Sequence, residues 1–189
     1  MLHDSRQMES EFRGSPRDVA VRAVDVMAAL DRAEQDQLAA VREVLRRYGE
    51  DGVDDLTGPQ VEGLRAASDQ LRPIVEAADA SAAAAALNDV LRAYGGTPRV
   101  TSHGGSPWHL HIDEDDDGAW VTWFMSSTAM ALAVLLTESQ APPLAPCGSP
   151  SCRRAFVRSM RGAPRRYCSR TCGTRERVAQ LRAGRAADT

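Results

Sequence analysis

All four cysteines of this chain lie in one segment near its C-terminal end, where they form two close pairs. Cys147 and Cys152 bracket the turn-forming residues 148–151, and Cys168 and Cys172 follow after a fifteen-residue insert. A pair of thiolates held by a tight turn can occupy one edge of the tetrahedron that zinc prefers, and a second pair completes the site. The spacing therefore predicts a small module folded around one zinc ion.

Disulfides, a redox switch and an iron–sulfur cluster are the alternatives for these cysteines. The N-terminal residues are polar and lack the apolar stretch of a secretory signal peptide, so cytoplasmic residence is expected. Because cytosolic thiols stay reduced, a four-cysteine zinc site is favoured over disulfides. Four protein thiolates leave no open coordination position, which predicts one structural rather than catalytic Zn²⁺ per chain.

The insert between the cysteine pairs has the composition of a short hairpin. Residues 153–158 and 165–167 are predicted to form two short strands, joined through Gly162-Ala163-Pro164. The chain after Cys172 reads GTRERVAQLRAGR, which is compatible with a helix. A thiolate at a helix N-terminus is stabilised by the helix dipole, so Cys172 is well placed as a ligand.

The motif in this segment can be written as Cys147-x4-Cys152, Phe156, Arg161, the run from Arg165 to Ser169, and Cys172-Gly173-x-Arg175. In these residues the segment resembles the CGNR zinc finger of bacterial proteins described as stress-induced transcriptional regulators. Thr174 stands where the asparagine of the motif's name is expected. The resemblance implies a treble-clef-like finger that follows a helical domain of the type called ABATE.

Charge is distributed unevenly along the chain. Residues 147–189 hold 11 arginines and two acids, a net charge of +9, whereas residues 1–146 hold 12 arginines and 24 acids, a net charge of −12. There is no lysine, so every basic contact falls to guanidinium groups, which suit phosphate and guanine recognition. Some of these arginines are expected only to offset the formal charge of −2 on Zn²⁺ with four thiolates.

Residues 17–140 predict a helical domain, because apolar residues recur at spacings of three and four. The first two helices are predicted over residues 18–30 and 31–48. A third is predicted over residues 58–79, with Pro73 bending it or starting a new segment. A fourth is predicted to be capped by Ser81 and stopped by Gly95-Gly96.

Two strand candidates follow, residues 99–103 and 107–113, with a turn at Gly104-Gly105-Ser106. In the second strand Trp108, Leu110 and Ile112 alternate with polar residues, which predicts a half-buried strand. The polar set, His109, His111 and Asp113, is either a metal-like or catalytic cluster or the solvated side of an edge hairpin. The acidic run over residues 113–117 is expected to be a solvated loop, with a cation site as the alternative.

Residues 120–138 are apolar on nearly every side, which is typical of a helix buried on all faces or of a membrane span. Interrupting Ser and Thr residues and the acids that flank the stretch favour a central helix of a globular domain and no membrane association. The predicted organisation is therefore a flexible N-terminus (1–16), an ABATE-like helical domain (17–140), a stiff Pro-containing linker (141–146), the finger (147–185) and a short tail (186–189). The fold class is mainly α, with a small β-hairpin and a C-terminal four-cysteine finger.

No nucleophile–base arrangement, phosphate loop or dinucleotide fingerprint is present, so the chain is not expected to be an enzyme. The first hypothesis is a DNA-binding transcriptional regulator whose helical domain senses a small-molecule effector or protein partner, or forms a homodimer. The predicted DNA contacts are Arg153, Arg154, Arg161, Arg165, Arg166, Arg175, Arg177 and Arg182. The alternative is a protein-interaction module that does not bind DNA directly.

Overall fold

The computed structural model of this protein describes residues 15–102, 108–112, 119–159 and 165–187. Its helical part contains, in chain order, α1 (Pro16–Leu30), α2 (Glu34–Arg47), α3 (Gly58–Ser68), α4 (Arg72–Glu76), α5 (Ala80–Tyr94), β1 (Arg99–Thr101), β2 (His109–His111) and α6 (Trp120–Ser139). The C-terminal part contains β3 (Leu144–Pro146), β4 (Ala155–Val157) and α7 (Arg170–Ala187). The mainly α fold class is confirmed.

The apolar helix α6 lies at the centre of the helical part, packed against α1, α3 and α5. By length and composition alone it could cross a membrane. Its Phe124, Met125 and Leu132 are nevertheless fully buried by the neighbouring helices, as predicted for a central helix. Burying each such side chain contributes about 1.5–3 kcal/mol, so this helix supplies much of the core.

A small residue lets α3 approach α6 closely. A Cβ atom added at Gly63 would lie 3.2 Å from Cγ2 of Val121, which is tighter than ordinary van der Waals contact. Leu64 and Val61 of the same helix are almost completely buried beside it. The lack of a side chain at Gly63 is therefore as important for this interface as the buried side chains of Val61 and Leu64.

The third predicted helix is divided into separate segments. It ends at Ser68, continues as a single-turn 3₁₀ segment, and α4 then begins with Pro73 in its first turn. Proline is tolerated there because the first N–H groups of a helix have no intrahelical acceptor. Pro73 therefore starts a new segment, which was one of the two predicted outcomes.

The fourth helix is capped by a different residue from the one predicted. Asp79, not Ser81, is its N-cap, and an Oδ1 atom of Asp79 accepts a hydrogen bond from the N–H of Ala82 at 2.8 Å. Both residues are good N-caps, and the helix begins two residues earlier than an N-cap at Ser81 would require.

One buried arginine links three parts of the helical domain. Arg22 of α1 is 6% exposed, and its guanidinium lies 4.3 Å from the centre of the Trp123 ring. It forms an ion pair with Glu50 in the loop after α2 and donates a hydrogen bond to Ser127 Oγ at 2.8 Å. A buried charge is tolerated only when it is paired and hydrogen-bonded, as this one is.

The antiparallel pair β1–β2 exists, with Val100 opposite Leu110 and Arg99 opposite His111. The predicted half-buried face is wrong for two of its three residues, however, because Trp108 is 75% exposed and Leu110 is 45% exposed, whereas Ile112 is half-buried. The alternating pattern determines which side chains share a face but not whether another element covers that face. Val100 lies on the same face and is 66% exposed.

The histidine cluster is only partly described. His111 Nδ1 lies 3.3 Å from a terminal nitrogen of Arg99. The side chain of His109, the residue Asp113, the acidic run and the turn at 104–106 lie outside the described residues. A role for this strand face stays a prediction.

The strands of the C-terminal part pair differently from the prediction. β4 pairs with β3, which lies in the predicted linker, in the register Leu144–Val157, Ala145–Phe156 and Pro146–Ala155. Residues 165–167 are not a strand, and the predicted turn at 162–164 lies outside the described residues. β3 packs on α4 and β4 on α1, and Leu144 and Val157 belong to the same buried cluster as the helices. A partner strand that also fills the core replaces the local hairpin.

We expect Asp79→Ala to lower the free energy of unfolding by about 1 kcal/mol, because the first turn of α5 loses its side-chain acceptor. Ser81→Ala, two residues later, is the matched control and should change stability little. Urea unfolding followed by circular dichroism measures both. The reverse order of effects would contradict the assignment of the cap.

Candidate metal centre

The first cysteine pair lies in the loop that joins β3 to β4. The N–H of Cys147 donates to the carbonyl of Arg154 at 3.0 Å, which continues the strand pairing, and the N–H of Cys152 donates to Ser149 O at 2.9 Å, which closes the turn. Gly148 is required here, because a Cβ atom would lie 2.8 Å from Cγ and 3.0 Å from the carbonyl oxygen of Arg166. The pairing of β3 with β4 and the turn over residues 148–151 therefore hold the thiols of Cys147 and Cys152 in place.

The second pair lies at the start of α7. The helix begins at Arg170, so Cys172 is in its first turn and does not precede it as predicted. The N–H of Cys172 is 3.2 Å from Ser169 Oγ, which accepts a hydrogen bond as a capping residue does. The predicted advantage of a helix N-terminus for a thiolate remains, because the first turn carries the positive end of the dipole.

The four sulfur atoms converge on one point. The Sγ atoms of all four cysteines lie within 4.8 Å of one another, and Cys168 Sγ is 3.7 Å from both Cys152 Sγ and Cys172 Sγ. Tetrahedral zinc with Zn–S bonds of about 2.3 Å requires sulfur atoms about 3.8 Å apart. Disulfide bonds would require about 2.05 Å, and all four cysteines are free. The donor set and its spacing fit one structural Zn²⁺.

The thiols differ in acidity before a metal binds. Burial opposes ionisation of Cys147, but hydrogen bonds from the backbone N–H groups of Cys168 and Ser149 and from neighbouring thiols outweigh it and lower its pKa to about 7. Burial and the neighbouring thiols raise the pKa of Cys168 to about 12, and burial raises that of Cys152. Four thiolates at this distance thus require a cation, which zinc supplies.

Side chains around the knuckle, the loop from Cys147 to Cys152, hold it in place. Ser149 is buried, and its hydroxyl donates to the Glu176 carboxylate of α7 at 2.5 Å. Arg175 of α7 donates to Ser151 Oγ at 3.0 Å. Arg165 donates to the carbonyl of Cys168 at 2.7 Å and lies 5.5 Å from the centre of the Phe156 ring. These contacts fix α7 to the loop between the first two cysteines.

The eight predicted DNA-contact arginines occupy different environments. Arg165 and Arg175 brace the knuckle, Arg166 stacks on Tyr167 at 5.7 Å, and Arg177 lies 3.2 Å from Thr174 Oγ1. Arg153 and Arg182 are exposed, and Arg161 lies outside the described residues. Arg154 contacts the helical part, as its terminal nitrogen is 3.7 Å from a carboxylate oxygen of Asp25.

Sequence reasoning did not identify the individual residues through which the two parts of the chain make contact. Asp25 of α1 also accepts a hydrogen bond from Tyr48 Oη at 2.9 Å, and burial together with Asp25 raises the Tyr48 pKa to about 12. Arg17 donates to the carbonyl of Arg158 at 3.2 Å, and Arg158 donates to Leu144 O at 3.0 Å. Within the finger, sequence reasoning also missed Glu176, which was identifiable in principle as one of only two acids after Cys147.

A cleft of about 300 Å³ lies where the two parts meet. Its helical wall carries Arg65 and Arg72 among acidic residues, and its other wall carries Arg153 and Arg154 beside Pro146. The cleft is thus lined by arginines of both parts.

Replacing Cys147 or Cys172 with Ser should remove zinc, because three thiolates and a hydroxyl hold it far more weakly. Thr171→Ala, next to Cys172, is the matched control and should keep one zinc per chain. Metal analysis of reduced protein measures the content, and hydrogen exchange should show α7 losing protection while α1–α6 keep theirs. Zinc-free wild-type protein with an equally protected α7 would contradict this role.

Residues 144–185 match the CGNR zinc finger family, and the match begins at the first residue of β3. No curated protein matches the chain. The matched segment contains all four clustered cysteines, the strand pair and most of α7. The C-terminal part of this chain is therefore similar to CGNR zinc fingers, as its motif predicted.

Proposed function

We propose that this protein is a zinc-dependent DNA-binding transcriptional regulator and not an enzyme. The observation that carries the proposal is the surface of α7. The zinc site holds this helix by its first turns, and the residues from Arg177 to Ala183 are all exposed. Arg170, Arg175, Arg177 and Arg182 are exposed along it, on a segment of net charge +9. Neutralising phosphates with such groups supplies most of non-specific DNA affinity.

The charge of the zinc site does not account for all of these arginines. Zn²⁺ with four thiolates carries a formal charge of −2, so two arginines suffice to balance it, and Arg165 and Arg175 lie beside the cysteine loops. Arg153, Arg170 and Arg182 are also exposed, and they are not needed to balance the charge of the zinc site. Phosphate groups are the partners that guanidinium groups of this number and exposure suit best.

Arg182→Ala should weaken binding to duplex DNA and reduce the slope of log K against log salt by about 1, because one phosphate contact is lost. Arg92→Ala, which removes an exposed arginine of α5, is the matched control and should leave the slope unchanged. Arg175→Ala should weaken binding as well, and its zinc content separates a bracing role from a DNA contact. The measurement is a fluorescence titration at several salt concentrations. Failure of the zinc-loaded wild type to bind duplex DNA at low salt would contradict the proposal.

We propose further that the helical domain restrains the finger. Asp25 faces Arg154 at 3.7 Å, and its side chain is only 23% exposed, so water screens the pair less than a pair on the open surface. DNA would have to compete with this carboxylate for the guanidinium. An effector bound in the cleft beside Arg153 and Arg154 would release the contact, which makes the cleft the proposed sensor site.

Asp25→Asn should therefore tighten DNA binding by roughly two- to five-fold at low salt, because freeing Arg154 from a partly exposed ion pair is worth up to about 1 kcal/mol. The substitution also removes the ion pair of Asp25 with Arg47 at 3.4 Å, within the helical domain. The asparagine keeps an oxygen that can accept from Tyr48. Asp89→Asn removes the same charge from an exposed pair with Arg92 and is the matched control. The gain should shrink as salt rises. Equal effects of the two variants would discard the specific contact, and weaker binding by Asp25→Asn together with loss of a dimer in sedimentation would favour dimerisation by the helical domain.

A protein-interaction module is the second candidate, and the β1–β2 hairpin favours it. Val100, Trp108 and Leu110 form one exposed apolar face on this hairpin. Apolar faces of this kind mark protein contacts more often than DNA contacts. A zinc-loaded chain that fails to bind DNA but whose partner binding is lost in Trp108→Ala would support this candidate.

A further inference from the structure

The exposed side of α7 carries two apolar residues among its arginines. Val178 is 40% exposed and Leu181 is 67% exposed, and they are the only large apolar side chains of the described part of α7 beyond Cys172. Cys172 is buried, and Gly173 and Glu176 are half-buried. The helix therefore rests on the finger by one side and presents Val178 and Leu181 on another.

Four of the five arginines of α7 form two rows on either side of this apolar pair. At 3.6 residues per turn, Arg170 and Arg177 share one row, and Arg175 and Arg182 share a second row about 140° away. Val178 and Leu181 fall in the sector between the two rows. Each is thus flanked by positive charge on both sides along about two turns of helix.

We propose that Val178 and Leu181 contact base edges in the major groove of B-form DNA and favour thymine methyl groups. The inference rests on the proposed DNA-binding function and adds to it the base-reading residues. The two walls of the major groove are phosphate backbones, which match the two arginine rows, and the floor between them displays the thymine methyl as its apolar group. The charge pattern thus fits a groove with a negative wall on each side.

The dimensions of the helix agree with this placement. An α-helix with its side chains is about 10–12 Å across, and the major groove is about 12 Å wide. Arg170 to Arg182 spans about 18 Å at 1.5 Å per residue, which is about five base-pair steps of 3.4 Å. The apolar pair, at most about one helical turn long, would contact one or two neighbouring base pairs.

The charge pattern argues against a second copy of the same helix as the occupant of this face. Two such helices packed through Val178 and Leu181 would bring four arginine rows together, and like charges at short range are unfavourable. The apolar contact of only two side chains per helix is too small to offset that repulsion. DNA supplies the opposite charge at both edges.

The test compares three duplex probes: poly(dA-dT), poly(dA-dU), which lacks only the thymine methyl groups, and poly(dG-dC). Wild-type, zinc-loaded full-length protein should bind poly(dA-dT) more tightly than poly(dA-dU) by about four-fold for each methyl contacted. Leu181→Ala and Val178→Ala should each reduce this ratio while keeping the salt dependence. Alanine favours helix at both positions, so these variants should stay folded, as circular dichroism and zinc content can verify.

Gln180→Ala, on the other side of the same helix, is the matched control and should leave the ratio unchanged. Equal wild-type affinity for poly(dA-dT) and poly(dA-dU) overturns the inference and leaves DNA binding intact. Absence of binding to all three probes overturns the proposed function and the inference with it. A dimer in sedimentation that Leu181→Asp dissolves would assign this face to a second copy and overturn the inference as well.

Discussion

Burial of Leu144 and Val157 against α1 and α4 joins the zinc finger to the helical domain. These two residues face each other in the β3–β4 pair, and the loop between the strands carries Cys147 and Cys152. The zinc site is therefore built directly on the core of the preceding domain. The finger needs few apolar residues of its own, because metal coordination and this shared core together offset the entropy of ordering it.

The arginines of the finger serve at least two purposes that composition cannot separate. Arg165 and Arg175 hold the knuckle through a carbonyl and a hydroxyl oxygen, and Arg154 pairs with a carboxylate of the helical domain. Arg153 and Arg182 are exposed. The net charge thus overstates the number of arginines available to contact a polyanion. Only the positions of the individual guanidinium groups show how many can contact phosphate.

Sequence patterns predicted the features that local chemistry enforces. Thiolate chemistry favours one zinc ion for four cysteines at these spacings, and a stretch as apolar as α6, interrupted by Ser and Thr, favours a buried position. The strand pairing was missed because the insert suggested a local partner, whereas the partner of β4 lies before Cys147, where Leu144 also fills the core. Arg22 precedes the buried Val26 by one helical turn, so the helical spacing indicated that Arg22 is buried as well. Its partner Glu50 lies in a loop, where no periodic pattern indicates which residues face the core.

All three tryptophans lie in the helical part, and the finger has none. Trp120 and Trp123 pack edge to face at 5.3 Å, with the Arg22 guanidinium over the second ring, while Trp108 faces solvent. Indole emission therefore reports on the helical core from two rings and on the open hairpin from one. Melting confined to the finger would leave that emission unchanged, whereas unfolding transmitted through Leu144 and Val157 would shift it. Tryptophan fluorescence thus reports how tightly unfolding of the finger is coupled to unfolding of the helical part.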